Sequence, residues 1–278
     1  MYKLIACDVD GTLLDQGYNF TKVDMDAISK LKETGVGFTL CSGRAYKSLG
    51  AFAEKLGIST PENYIVGFNG ALVYDPHNSR VVWKEDLDKD AALEIISFYK
   101  SAAPANIDIA IYLDGENCLS EAGSSHAPAY HKASLTNQLE TTDILSAAKN
   151  LNFIAKVLFI GDNSALRDFE AKLTPIIKPP VGLLFTSKTL LEIVPSDCSK
   201  AKGLKWICRK MGIEMSEVIA IGDNYNDISM IKEAGLGVAV ANAVGPAKDI
   251  ANYVTENNCA SGAVAEVIHK FILNSQGY

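Results

Sequence analysis

The sequence predicts an α/β protein: a Rossmann-like parallel-sheet core interrupted by an inserted α+β domain. Three observations carry this expectation. Strand-length apolar runs alternate with amphipathic helical segments towards both ends of the chain, the middle loses that rhythm, and 278 residues exceed what one average domain needs.

Tyr2 to Cys7 reads as a buried strand, Val23 to Lys32 as a helix, Gly37 to Cys41 as a strand, Ala45 to Leu56 as a helix and Tyr64 to Gly67 as a strand. Such alternation implies parallel neighbours, because parallel strands need a crossover between them. From about Trp83 to Thr189, longer helices mix with the strands Ile107 to Leu113, Ala155 to Ile160 and Val181 to Phe185. Turn chemistry flanks this stretch, in Asp75-Pro76-His77-Asn78 and in Pro195-Ser196-Asp197. The first rhythm then resumes, with a helix from Ala201 to Met211, a strand from Val218 to Ile221, a helix near Asp227 to Glu233, a strand from Gly237 to Val240 and a closing amphipathic helix from Ala263 to Leu273. The expected division is residues 1–82 plus 190–278 for the core and 83–189 for the insert. Internal repeats and low-complexity segments are absent from the sequence.

A hydrophobic fraction of 48% with 21% charged residues is enough apolar material for a packed core. The formal net charge of -7 argues against nucleic acid and anionic membrane as partners, so an anionic ligand has to be held by local groups. The first residues run directly into a strand without a basic region and apolar run, and no stretch reaches bilayer length, so a cytoplasmic location is expected. Cys7, Cys41, Cys118, Cys198, Cys208 and Cys259 are scattered without a CxxC pair, which suits reduced thiols. His77, His126, His131 and His269 lack the pairing of a zinc site or a histidine relay.

Chemistry concentrates at predicted strand ends. Asp8-Val9-Asp10-Gly11-Thr12-Leu13 follows the first strand, where open α/β sheets bind ligands. Two carboxylates two residues apart suit a nucleophile and a proton carrier, and Gly11 allows a sharp turn whose N–H faces an anion. Gly222-Asp223-Asn224-Tyr225-Asn226-Asp227 follows another apolar strand and offers the oxygen ligands that magnesium prefers; Asn226 or Asp227 could equally cap the next helix. In Cys41-Ser42-Gly43-Arg44, a hydroxyl and free N–H groups at a helix start can cradle phosphate, while Arg44 either reaches substrate or sits as surface charge. Lys200 opens the helix after the insert and could offset the acids, with Lys202 and Lys205 as competitors. Asn69, in Phe68-Asn69-Gly70-Ala71, could meet substrate or form an ordinary hairpin turn.

Taken in order, DVDGTLLD, SGR, the lysine of SKAKGL and GDNYND resemble the four motifs of the haloacid dehalogenase superfamily of phosphatases. FNGALV before the insert and EIVPSDCSKAKGLKWI after it resemble the Cof-type branch, which implies a type IIB cap acting as a substrate lid over a Rossmann-like core. The resemblance spans the whole chain. It implies Asp8 as nucleophile, Asp10 as general acid and base, and Ser42 and Lys200 holding the phosphoryl oxygens. It further implies Mg2+ held by Asp8, by the backbone carbonyl of Asp10 and by Asp223, with Asp227 orienting Lys200 or water nearby. Asn226 would lie near the phosphate, Thr12 would support the Asp10 loop, and Gly11, Gly43, Arg44 and Asn69 would face phosphate or substrate. Cys7 and Cys41 depart from the family pattern, and as small residues on buried strands they read as core.

The activity implied is hydrolysis of a phosphomonoester of a small metabolite, a sugar phosphate or phosphorylated cofactor, through an aspartyl-phosphate. Rivals are a phosphomutase or phosphotransferase using the same nucleophile and a non-catalytic phospho-metabolite sensor; a monomer or a homodimer is compatible with either. In the insert, Asp114, Glu116, His126 and Tyr130 are candidate readers of the leaving group.

Overall fold

The computed structural model describes residues 1–113, 117–128 and 139–274. Asp114, Glu116, Tyr130 and His131 lie outside the described residues. Strand β1 (Leu4–Cys7) is fully buried along its length, as a parallel strand covered on both faces must be. Helix α1 (Lys22–Leu31) begins at Thr21, whose hydroxyl accepts the Asp24 N–H, and leads to β2 (Gly37–Leu40). Helix α2 (Tyr46–Lys55) is followed by β3 (Ile65–Gly67), β4 (Leu72–Asp75) and β5 (Arg80–Lys84).

The middle of the chain supplies α3 (Lys89–Ala102), β6 (Ile107–Tyr112), β7 (Cys118–Glu121), β8 (Leu139–Thr142) and α4 (Ile144–Lys149). It continues through β9 (Lys156–Gly161), α5 (Asn163–Leu173), β10 (Val181–Ser187) and β11 (Leu190–Pro195). The remainder comprises α6 (Lys200–Met211), β12 (Val218–Gly222), α7 (Ile228–Glu233), β13 (Leu236–Ala239), α8 (Gly245–Ile250), β14 (Tyr253–Val254) and α9 (Ala263–Ile268).

The chain divides into two compact units: Met1–Gly43, Leu49–Trp83 and Ser199–Tyr278 form one, and Arg44–Ser48 with Lys84–Cys198 the other. In the first unit a parallel sheet has the order β14-β13-β12-β1-β2, and a parallel bridge between Cys41 and Val66 continues it to the three-stranded sheet β3-β4-β5. Leu4, Ala6, Val218 and Ala220 pack against Ala201, Leu204, Ile207 and Cys208 of α6. That helix is defined at both ends: Ser199 accepts the Lys202 N–H, and Gly212 turns left-handed at φ 67° to close it.

The second unit is a six-stranded sheet of order β10-β11-β9-β6-β7-β8, antiparallel except for β7 and β8. Ile107, Ile109, Ile111, Val157, Phe159, Leu191 and Ile193 project from one face onto a core with α3, α4 and α5. This unit runs further than the division at residue 189 expected from the sequence. Leu190–Pro195 pairs with β9 and β10, and its nearly continuous apolar run, broken only by Glu192, taken alone fits a buried strand of either sheet. His126 here donates its backbone N–H to the buried Asp108 carboxylate, which also accepts from Ala127, so Asp108 fastens the main chain at that position.

Asp24 shows how the first unit holds its edge. Its carboxylate is fully buried, accepts the Ala265 N–H of α9 at 2.7 Å and the Thr21 hydroxyl at 2.6 Å, and so ties two helices together. Burial holds its pKa above the ordinary carboxylate range despite these donors. Replacing it with alanine leaves the Ala265 N–H buried and unpaired, and Asp24→Ala is expected to cost about 1–3 kcal/mol, read as a lower urea midpoint with an unchanged slope. Among the described residues, no helix is long and apolar enough to cross a membrane.

Candidate active site

The order of the core sheet opens a crevice at one place. Strands β1 and β12 are neighbours, and the chain leaves the carboxyl end of β1 towards β2 on one side and that of β12 towards β13 on the other. Asp8–Thr12 follows β1 and Asp223–Asp227 follows β12, which brings the two acidic loops to that switch point.

Lys200, the first residue of α6, lies between them. It is fully buried, and its Nζ donates to Asp8 Oδ1 and to Asp227 Oδ1, 2.5 Å each. Burial alone would lower its pKa, but the carboxylates of Asp227 and Asp8 outweigh that and hold the ammonium firmly protonated. Of the three candidate lysines, Lys200 is the one placed between the acids. Lys202 lies over the Trp83 ring, and Lys205 pairs with Glu233 at the surface.

Asp227 uses both of its oxygens. Its second oxygen accepts the N–H groups of Asp223 and Asn224 at 3.0 Å each, so it shapes its own loop while gripping Lys200. Gly222 is required for this, since a Cβ there would come within 2.5 Å of the Asp227 Cβ. Asp8, Asp223 and Asp227 each offer a carboxylate oxygen within 4.8 Å of the others. Burial, then repulsion by Asp227, pushes the Asp8 pKa up; burial, then repulsion by Asp8 and Asp227, does the same to Asp223. Three hard carboxylate donors, only two of them paired with the Lys200 ammonium, leave an excess of negative charge, the setting a divalent cation such as Mg2+ fits.

The Asp10 side chain is exposed and stands outside this carboxylate cluster, while its backbone bridges to Leu14. Thr12, fully buried, donates its hydroxyl to Asp223 Oδ1 at 3.3 Å, linking the two loops. Gly11 takes a left-handed φ of 81°, and a Cβ on it would lie 2.5 Å from Asp223 Oδ2.

A second wall forms from Ser42, Gly43, Asn69 and Asn226. The Ser42 N–H donates to the Val66 carbonyl and the Asn69 N–H to the Ser42 carbonyl, both at 3.0 Å. The Asn226 amide donates to Asn69 Oδ1 at 2.9 Å, and a side chain at Gly43 would collide with the Asn69 amide. Asn226 Oδ1 is buried without a protein partner among the described residues. Arg44 follows Gly43, is buried, and groups with the second compact unit.

Asn69-Gly70 lies in a hairpin, as one of its two readings expected: residues 68–71 join the antiparallel strands β3 and β4, whose last pair is Gly67 with Leu72. Phe68, Asn69 and Gly70 are all left-handed, at φ 48°, 55° and 98°, in a 3-10 turn that presses on the start of α6. A Cβ on Gly70 would sit 1.9 Å from the Ser199 carbonyl oxygen, against backbone that cannot yield without moving Lys200. Gly70→Ala is therefore expected to destabilise the protein by about 2–4 kcal/mol, measured by chemical denaturation.

Cys7 and Cys41 are wholly buried beside the acids, and burial pushes both thiols well above the ordinary range, so they stay neutral core residues. One contact carried no motif signal: Asn242, in an unremarkable turn after β13, donates to the Gly11 carbonyl.

Residues 5–268 match the family model described as haloacid dehalogenase-like hydrolase. The chain is 30% identical over 273 residues to YxeH of Bacillus subtilis, covering 98% of this chain and 99% of that protein. It is 28% identical over 269 residues to the Bacillus subtilis 5-amino-6-(5-phospho-D-ribitylamino)uracil phosphatase YitU, covering 93% of this chain and 94% of YitU. A crystal structure of a haloacid dehalogenase-like hydrolase from Bacteroides thetaiotaomicron superposes with a TM-score of 0.85 at 27% identity, over 97% of this chain and 99% of that one.

Proposed function

Because this chain belongs to the haloacid dehalogenase-like hydrolases, we propose that it hydrolyses a phosphomonoester of a small metabolite through an aspartyl-phosphate on Asp8. The observation that carries this reading is the buried Lys200 bridging Asp8 and Asp227 beside Asp223 at the sheet's switch point. The small-metabolite class is supported by YitU, whose name states such a substrate.

In this mechanism an Asp8 carboxylate oxygen attacks phosphorus in line with the leaving oxygen. The phosphorus–oxygen ester bond breaks as Asp10 donates its proton to the departing alkoxide. Asp10, now ionised, takes a proton from water as that water attacks the phosphorus of the acyl phosphate, releasing inorganic phosphate and restoring Asp8. Lys200 and Ser42 hold the phosphoryl oxygens. Asn226 and Asn69 line the phosphate, with Gly11 and Gly43 giving it room, and Arg44 faces the substrate. Thr12 and Asp227 keep the two acidic loops in register. Asp8 and Asp223, with the backbone carbonyl of Asp10, would hold Mg2+, which when bound supplies positive charge to offset the negative charge of the phosphoryl oxygens. Phosphate-monoester hydrolysis demands on the order of 20 kcal/mol of barrier lowering, more than one carboxylate supplies, which is why nucleophile, proton carrier and buried cations act together.

The second unit is proposed to select the leaving group, the role of a type IIB cap. The test is inorganic phosphate release from a panel of sugar, cofactor and nucleotide monophosphates, with and without magnesium. Metal-dependent release is the expected result. A sugar isomer formed without phosphate release would establish a phosphomutase instead, and binding without turnover a sensor.

A further inference from the structure

Asn242 lies in the turn between β13 and α8, and its side-chain amide is fixed at both ends by main-chain groups. Its Nδ2 donates to the Gly11 carbonyl at 2.7 Å, and its Oδ1 accepts the Cys259 N–H at 2.9 Å. A carbonyl can only accept and an N–H can only donate, so these partners determine which way the amide faces. Aspartate in its place would keep the bond to Cys259 and lose the bond to Gly11.

The turn that carries Asn242 is itself fastened to the other acidic loop. The Val240 N–H donates to the Gly222 carbonyl at 3.1 Å and the Val244 N–H to the Asp223 carbonyl at 2.8 Å. Ala241 N–H donates to the Thr255 hydroxyl at 3.0 Å, which anchors the turn to the strand region behind it. The same five-residue stretch thus holds the Asp223 loop by its backbone and the Asp8–Thr12 loop by the Asn242 side chain.

Gly11 is where such a hold matters. It stands between Asp10 and Thr12 with a left-handed backbone, and its Cα faces the Asp223 carboxylate so closely that a Cβ would lie 2.5 Å from Asp223 Oδ2. Rotation of the Gly11–Thr12 peptide would shift Asp10 on one side and Thr12, a donor to Asp223, on the other. We propose that Asn242 is a positioning residue, which sets Asp10 and Thr12 against Asp223 by locking the Gly11 carbonyl. The inference rests on the reading of Asp8 and Asp10 as nucleophile and proton carrier; the lock itself rests on hydrogen bonds alone.

The test compares wild type with Asn242→Asp and Asn242→Ala in two measurements. In steady-state kinetics on the best substrate of the panel, both variants are expected to lose about 10–100-fold in kcat, as supporting contacts of this kind do, with KM within about twofold of wild type. In hydrogen exchange followed by mass spectrometry, peptides spanning Asp8 to Asp15 are expected to exchange faster in both variants, while the rest of the first unit keeps its protection. Unchanged exchange in that segment would overturn the proposal, whether or not the protein turns over substrate. So would a kcat loss accompanied by lost protection throughout the unit, which marks a general structural role. Absence of turnover in wild type would instead overturn the phosphatase reading and leave the exchange result to judge the lock.

Discussion

Asp8→Asn is expected to abolish phosphate release, by a factor on the order of 10⁴ or more, while the melting temperature stays level or rises. The first half follows from the role proposed for Asp8, because an amide cannot form the acyl phosphate. The second half follows from the environment. Burial, and then repulsion by Asp227, raises the Asp8 pKa, so ionising it costs the folded state free energy. A carboxyl whose folded pKa is raised lowers stability as pH climbs through that window, so a neutral isostere removes a burden near neutrality. The bond from Lys200 survives in kind, since the asparagine oxygen still accepts it, and Asp227 keeps the ammonium paired. A circular-dichroism melt beside the phosphate assay checks both halves. An inactive variant that also melts far lower would mean that Asp8 acts as a structural acid.

The largest expected loss of stability comes from Lys200→Met. Methionine fills much the same volume but leaves Asp8 and Asp227 buried side by side without the cation that joins them. Removing one partner from a buried ionic group typically costs 3–5 kcal/mol, and here a single ammonium serves two carboxylates. The cost has a pH signature. With Lys200 gone, its lowering influence on Asp8 disappears and the folded pKa moves further up, so the deficit is greatest near neutrality and shrinks in mild acid as Asp8 protonates. Added magnesium is expected to restore part of the stability, because a ligand that binds only the folded state stabilises it. Urea denaturation at the two pH values, with and without magnesium, measures this. A deficit independent of pH would point to packing and away from charge.

Much of this arrangement is legible in the amino-acid order, for reasons that differ from place to place. Leu4 to Cys7 and Val218 to Ile221 are apolar on both faces, which marks central parallel strands, and an acid directly after such a strand has to stand at the crevice. Lys200, Lys202 and Lys205 open one helix, and Lys200 is the one on its buried face, three, four and seven residues before Gly203, Leu204 and Ile207. Asn69-Gly70 carries the signature of a hairpin turn and does lie in the loop between β3 and β4, but the dipeptide does not announce that Gly70 stands against the Ser199 backbone. The far edge of the insert is hidden because Leu190–Pro195, apolar except for Glu192, suits a buried strand of either sheet. Asn242 was invisible for a related reason. Its partners, Gly11 and Cys259, are main-chain groups 231 and 17 residues away, and no side-chain pattern announces a backbone contact.

The measurement closest to the central claim is a rapid acid quench of the wild-type enzyme during turnover of radiolabelled phosphomonoester, followed by peptide mapping. The account predicts label on the peptide containing Asp8, appearing before inorganic phosphate and lost on chase at the rate of turnover. Sustained phosphate release with no label on Asp8 at any time, or with label on another residue, would contradict it.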